Sequence, residues 1–238
     1  MLFFYIRHGD PTYTPDSLTP LGKRQAEAVA KRLCLYGIDK IYASSSTRAS
    51  MTSDPTCEIM KIAKTEVDFA HENRAWEYLS APTESGGRTW VFYHPEIRKM
   101  FIDPEVLAMR DNWYDHPALA KYEMKKGIER VRDESDEFFA SLGYEHIRGT
   151  GTYKAVAPND DRVALFAHQG FGLAFLSCLL DIPYPQFSVH FDMSHTGMTV
   201  IEFKDEGGIV IPKVLTLAND SHLYHEGLPT RYHNVLRF

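Results

Sequence analysis

Cysteine is scarce in this chain of 238 residues, which has three: Cys34, Cys57 and Cys178. They lie far apart, are odd in number and form no C-x-x-C pair. That argues against a disulfide framework or a zinc ribbon and fits a reducing compartment, so a cytoplasmic location is expected. An excess of positive charge is also missing. Lys and Arg number 26 against 32 Asp and Glu, a formal charge of −6, which is a poor basis for broad nucleic-acid binding. Any anionic ligand must therefore be held by a local basic pocket. No apolar run reaches the ~18 residues that span a bilayer, so no membrane partner is expected. The N-terminal run Leu2 to Ile6 meets Arg7 and His8 at once, too early for a signal segment, and has no basic stretch before it. Internal repeats, low-complexity tracts and linkers are lacking too, and residues 1–238 read as one domain. What is present is ordinary for a soluble globular protein: 44% hydrophobic and 24% charged residues.

Leu2 to Ile6, aromatic and β-branched, reads as a buried strand. After a polar stretch, Thr19-Pro20 has the form of an N-cap with proline in the first helical position. Leu21, Ala28, Val29 and Leu33 keep helical spacing up to Gly37, a plausible stop. Ile41 to Ala43 is a second short strand. Ser44-Ser45-Ser46 opens a helix that Pro55 interrupts or restarts, and Val67 to Ala70 is a candidate third strand. Between about Ser80 and Gly151 no clear strand is visible, while helical patterns run near Pro95 to Arg110 and Tyr122 to Leu142. This region, about 80–151, is read as a helical insertion acting as a lid over a site, with a plain helical layer as the alternative. Val163 to Ala167 is the strongest strand, followed by an almost wholly apolar and hence buried helix, Gly172 to Leu180. Met198 to Phe203 and Ile209 to Leu217 flank Asp205-Glu206-Gly207-Gly208 as a hairpin. Strands alternating with helices imply a three-layer α/β/α sandwich with a mainly parallel sheet and an antiparallel edge.

His8 follows the first strand and His168 follows the strand Val163 to Ala167. Ligands of open parallel sheets bind outside the carboxyl ends of strands. If the two strands are neighbours, both imidazoles meet in one crevice; otherwise each merely caps a strand. Gly9 and Gly170 lie just after them and would let a ligand approach the backbone. Arg7 adjoins His8, and Arg48 follows the strand Ile41 to Ala43 at the start of a helix, where exposed N–H groups favour anions. Two arginines converging on one point suit a phosphate dianion, because the guanidinium fork matches its oxygens.

Arg7-His8-Gly9 after an N-terminal strand resembles the defining motif of the histidine phosphatase superfamily, also called phosphoglycerate mutase-like. Three further blocks occur in that family's order. Leu18-Thr19-Pro20-Leu21-Gly22-Lys23-Arg24-Gln25-Ala26 resembles its L-T-x-x-G-x-x-Q-A segment. Tyr42 to Thr52, centred on Arg48-Ala49, resembles S-P-L-x-R-A-x-x-T, and Ala167-His168-Gln169-Gly170 resembles the late H-G motif. Asp220-Ser221-His222-Leu223-Tyr224, with Gly227, looks like endings of some bacterial members. The blocks spread over about three quarters of the chain.

The resemblance implies a metal-independent phosphatase that hydrolyses a small phosphorylated substrate, a phosphomonoester, with no cofactor. His8 would be the nucleophile and would become a phosphohistidine. Arg7, Arg48 and His168 would hold the equatorial oxygens, since positioning and electrostatics supply most of the catalysis in phosphoryl transfer. Gly9, Thr14, Gln169 and Gly170 would contact the substrate. Glu77, in Asn73-Arg74-Ala75-Trp76-Glu77-Tyr78-Leu79, stands where members carry a general acid, and Trp76 and Tyr78 offer it apolar surroundings. Glu72, Glu84 and Asp10 are rivals for that role. The chain departs from the pattern at Thr14, where many members carry Asn, at Ser45 in place of proline, and at Gln169, which splits the H-G pair. The run after Glu77 does not match the mutase branch, and Arg88, Arg98 and Lys99 are the candidates for a second anion.

Other groupings remain. His190-x-Asp192 with His195, and His222-x-x-His225, have metal-ligand residue types, but neither completes a recognised set. Ser194, His195 or Thr196 lie in a stretch that reaches the phosphate in some members. Trp90, Tyr93, Trp113 and Tyr114 would either line an organic pocket or pack the core. Two functional alternatives stand beside the phosphatase: a phosphoglycerate mutase-type phosphotransferase, and a phospho-ligand binding module with weakened turnover. Composition and pattern leave oligomeric state undetermined.

Overall fold

The computed structural model describes residues 1–232. Strand β1 (Leu2–Arg7) leads through a small hairpin, β2 (Pro11–Tyr13) and β3 (Asp16–Leu18), to helix α1 (Pro20–Tyr36). Then come β4 (Lys40–Ser44), α2 (Thr47–Met60), β5 (Lys64–Val67) and α3 (Glu72–Leu79). A second hairpin, β6 (Ser80–Pro82) with β7 (Arg88–Trp90), precedes α4 (Pro95–Phe101), α5 (Pro104–Ala108) and α6 (Met124–Ser141). The chain continues through β8 (Tyr144–Ile147), β9 (Thr152–Ala155), β10 (Arg162–Ala167), α7 (Gln169–Leu179) and α8 (Tyr184–His190). It closes with β11 (Met198–Glu202), β12 (Ile209–Val210), β13 (Lys213–Asn219) and α9 (Ser221–His225).

Six strands form the central sheet in the order β13-β11-β1-β10-β4-β5. β1, β10, β4 and β5 run parallel, and β11 and β13 make the antiparallel edge. The α/β sandwich with a mainly parallel sheet is therefore the fold observed. β1 and β10 lie side by side with Arg7 opposite Ala167, so their carboxyl ends coincide. Both strands are apolar on both faces because both are covered. One face packs against α1 and α2 through Phe4, Ile6, Val29, Leu33 and Phe166. The other carries the larger core of α3, α6, α7 and α8. At its centre the Phe139 ring lies 5.2 Å from Phe3, 5.8 Å from Phe175 and 5.1 Å from Phe203.

Helix α1 starts and stops where its sequence signs stand. Thr19 accepts from the Gly22 N–H, Pro20 occupies the first turn, and Gly37 adopts the left-handed conformation at the end. Several boundaries differ from expectation. Helix α2 continues through Pro55 without a break. The third strand ends at Val67, and Asp68–Ala70 is a 3-10 turn. Ile209 to Leu217 is two strands, because Pro212 cannot donate to a ladder; β12 pairs with β9 in a separate sheet instead. The region 80–151 contains the β6–β7 hairpin and β8, which its sequence did not disclose. Its long helix α6 is a core layer: Met124, Ile128, Val131 and Phe139 are buried against the sheet and α7. Trp113 and Tyr114 are core residues too. Among the described residues no helix is long and apolar enough to cross a membrane.

Candidate active site

The pairing of β1 with β10 decides the site. His8 and His168 each follow the last residue of a paired strand, and the His8 N–H donates to the Ala167 carbonyl at 2.9 Å. Their rings sit 5.2 Å apart, edge to face. His8 opens, with Arg7, Arg48 and Gly170, onto a cavity of about 630 Å³, and His168 is buried behind it. Its other walls are Tyr13 and Asp16 from the β2–β3 hairpin, His71, Glu72, Asn73 and Trp76 from α3 and the turn before it, and Arg88, Thr89 and Trp90 from β7. Gln169 lines it as well. Of region 80–151, it is thus the hairpin that reaches the cavity.

The loop carrying His8 is held by the block Leu18 to Ala26, and each residue of that block has a physical task. Thr19 caps α1 and donates from its hydroxyl to Asp10 Oδ2 at 2.7 Å. Gln25, buried, accepts from the Asp10 N–H at 2.8 Å. Gly22 is needed for close approach: a Cβ there would stand 2.1 Å from the Asp10 carbonyl oxygen. Gly9 is buried in this contact, and its N–H donates to Thr52 Oγ1 at 3.0 Å.

His8 Nδ1 lies 2.7 Å from the Gly9 carbonyl oxygen. A carbonyl only accepts, so Nδ1 carries the proton and Nε2 keeps its lone pair. Burial holds the His8 pKa well below the ordinary 6.5, and the neighbouring His168, Arg7 and Arg48 push it the same way. His168 is likewise depressed by burial, then by Arg48, His71 and Arg7. Its Nε2 meets Ser44 Oγ at 2.8 Å and Ser46 Oγ at 3.3 Å. These serines end β4 and cap α2, which is how the Tyr42 to Thr52 block supports the late histidine.

The two guanidinium groups are buried and anchored from behind. Arg48 donates from Nη1 to Asp16 Oδ1 at 2.8 Å and from Nη2 to His168 Nδ1 at 3.1 Å. Arg7 donates from Nη1 to the Met193 carbonyl at 2.5 Å and from Nη2 to His195 Nε2 at 2.9 Å. The Nε–H of each has no hydrogen-bond partner among the described residues. The site thus keeps two guanidinium charges beside two neutral imidazoles, a setting for a phosphoryl group.

The carboxylates are distributed otherwise than the sequence led one to expect. Glu77 is exposed on α3 and outside the cavity lining, whereas Glu72, one turn earlier, lines it. Glu72 Oε2 lies 3.1 Å from His168 Nδ1, and Oε1 accepts from the Phe171 N–H at 3.2 Å. Gly170 permits this, because a Cβ there would come within 2.5 Å of Glu72 Oε1 and 2.4 Å of the Trp90 ring. Helical phase hides the difference in sequence: five residues apart on α3, Glu72 and Glu77 do not share a face. Thr14 is exposed in the β2–β3 turn and does not line the cavity, whereas Tyr13 and Asp16 beside it do. Gln169 donates from Nε2 to Tyr93 Oη at 2.7 Å and to Asp192 Oδ1. Tyr13, Asp16, His71, Asn73 and Thr89 carried no motif by which the sequence could single them out.

Neither metal grouping proposed from spacing assembles among the described residues. The donor atoms that do converge belong to His8, Glu72 and His168, all within 4.8 Å of one another. A cation there would face the Arg48 guanidinium 3.1 Å from His168 Nδ1, so the electrostatics favour an anion.

Residues 3–83 match the family model of the histidine phosphatase superfamily (branch 1). The mitochondrial serine/threonine-protein phosphatase Pgam5 of Drosophila melanogaster is 40% identical over 74 residues, which is 28% of this chain and 23% of the fly protein. The match thus spans about a quarter of that relative. Phosphoserine phosphatase from Entamoeba histolytica aligns with a TM-score of 0.60 at 18% identity, covering 93% of this chain and 98% of that one. Mycobacterial glucosyl-3-phosphoglycerate phosphatase aligns at 0.58 and 18% identity over 91% and 98%. Alpha-ribazole phosphatase from Shigella flexneri aligns at 0.58 and 16% over 92% and 97%. At such identities the likeness is one of fold. Residues 3–83 thus match the model of the histidine phosphatase superfamily, and the chain as a whole has the fold of these phosphatases.

Proposed function

We propose that the protein is a phosphatase that hydrolyses a phosphomonoester through a phosphohistidine on His8, with Glu72 as the proton-transfer group. The observation that carries this reading is the His8 tautomer: Nδ1–H is committed to the Gly9 carbonyl, and Nε2 is left as a neutral nucleophile among two arginines and a second histidine. The Nε2 lone pair attacks phosphorus, the ester P–O bond breaks, and the leaving oxygen takes the proton of the Glu72 carboxyl. Glu72, now a carboxylate, accepts a proton from water as the water oxygen attacks phosphorus and the P–N bond breaks. Arg7 and Arg48 stabilise the charge on the equatorial oxygens, and His168, buried behind them, holds the Arg48 guanidinium through Nδ1. With two guanidinium groups doing this, the chemistry needs no metal ion. The Trp76 and Trp90 rings, 4.9 Å apart and edge to face, form the wall for the organic half of a small substrate.

The test is a screen of phosphorylated metabolites, sugars, nucleotides and phosphopeptides for phosphate release, followed by acid-quench trapping of the enzyme. An acid-labile phosphoenzyme that vanishes in His8→Ala, together with turnover, is expected. Turnover that survives His8→Ala refutes the assignment. Isomerisation with the phosphate retained would mark a mutase instead, and phosphate binding without a phosphoenzyme would mark a binding module.

A further inference from the structure

We infer that His195 is a positioning residue that acts through Arg7, as the middle member of a relay running from the start of α1 to the phosphoryl site. This rests on the phosphatase reading above for what Arg7 does. His195 lies in the loop between α8 and β11, is 4% exposed, and does not line the cavity. Its ring is 5.8 Å from that of His8.

Arginine can only donate, so the 2.9 Å contact from Arg7 Nη2 makes His195 Nε2 an acceptor. The proton of the neutral ring is then on Nδ1, which faces Asp10 Oδ1 at 3.4 Å. Asp10 is itself fixed. Its Oδ2 accepts from Thr19 Oγ1 at 2.7 Å, and its N–H is held by Gln25. The N-cap residue of α1 thus sets Asp10, the Asp10 carboxylate faces the Nδ1 edge of the His195 ring, and His195 sets the plane of the Arg7 guanidinium. The loop is tied to the same place by its backbone, because the Thr196 N–H donates to the Arg7 carbonyl at 3.1 Å.

The residue type matters. A carboxylate in contact with Arg7 would hold it equally well but would offset its charge. A neutral imidazole orients the guanidinium and leaves that charge for the phosphoryl oxygens, while the Asp10 carboxylate strengthens the acceptor from one ring further away. The arrangement also explains why Thr19 does more than cap a helix.

The test compares His195→Phe and His195→Gln in otherwise unchanged and in Arg7→Lys backgrounds. The readouts are kcat/KM on the best phosphomonoester and the affinity for inorganic phosphate by calorimetry. His195→Phe is expected to lower both by about 10- to 100-fold, the loss of one hydrogen bond to a charged group. Gln, whose Oε1 reaches the place of Nε2, recovers most of it. In the Arg7→Lys background the Phe substitution should cost less than about threefold more, because residues acting as a unit are non-additive. Full activity and phosphate affinity in His195→Phe overturns the relay. So do equal losses in both backgrounds, or a Gln variant no better than Phe. Should His195→Phe fail to fold, His195→Ala takes its place in both Arg7 backgrounds, with the same losses expected and the same outcomes overturning the relay. If no substrate is turned over, the phosphatase reading fails, while the phosphate-affinity cycle still tests the relay.

Discussion

Replacing Glu72 by Gln should separate proton transfer from every other contribution of the site. Gln keeps the shape, its Oε1 can still accept from the Phe171 N–H now held at 3.2 Å, and its amide can donate to His168 Nδ1. The fold and the phosphate cradle therefore stay, and only the transferable proton goes. A positioned general acid contributes about 10²- to 10⁴-fold, or about 3–5 kcal/mol of barrier. The whole loss should fall on alkyl phosphates, whose leaving alkoxide must be protonated. An aryl phosphate with an acidic phenol needs little help, so its first step should slow by less than about tenfold. The assay is burst kinetics on a series of leaving groups, because water attack on the phosphoenzyme also uses Glu72 and would mask the first step in steady state. In parallel, Glu77→Gln should leave all substrates within about twofold, since its side chain lies exposed outside the cavity. Equal slowing of aryl and alkyl substrates in the burst phase, or a leaving-group dependence that appears with Glu77→Gln, would refute the assignment of Glu72.

Gly170→Ala should mimic the Glu72 variant indirectly, since the new methyl group would displace Glu72 and Trp90; kcat on alkyl phosphates should fall at least tenfold, about 1.4 kcal/mol of barrier, with thermal stability measured alongside. The acid limb of kcat/KM should lie below pH 6.5, because burial and then the charged and polar neighbours of His8 and His168 keep both rings neutral there and leave His8 nucleophilic; a loss of activity centred on the ordinary imidazole range would contradict this. His146 is different. Burial alone would lower its pKa, but hydrogen bonds to Asp136 at 2.8 Å and Asp181 at 3.1 Å outweigh that and raise it to about 9. Its folded value exceeds its unfolded one, so its stabilisation is complete below about pH 6.5 and is lost as pH rises through about 9. His146→Gln should accordingly lower the melting temperature at pH 6, and the gap to wild type should close towards pH 10. Phe139→Ala, at the meeting point of the Phe3, Phe175 and Phe203 rings, should cost about 3–5 kcal/mol by denaturant titration.

Much of the architecture was legible because strands and helix caps are local. The run Leu2 to Ile6, the Val163 to Ala167 strand and the Thr19-Pro20 start with its Gly37 stop depend on residues next to one another, and the structure has them in place. The four motif blocks likewise named His8, His168, Arg7 and Arg48, because those residues follow strand ends or begin helices. Pairing was not local. That β1 and β10 are neighbours, with 154 or more residues between them, is decided by the sheet as a whole, and so is the meeting of the two imidazoles.

By itself, then, the sequence determined which residues could carry the chemistry and which segments would present them. Tertiary structure alone decided which carboxylate faces the cavity, that the β6–β7 hairpin rather than the long helix α6 walls it, and that an imidazole from the loop before β11 meets Arg7. The reason is physical. Side-chain periodicity and capping act within a few residues, whereas the phase of a helix against a sheet is set by how distant apolar surfaces interlock. Glu72 and Glu77 differ only in that phase.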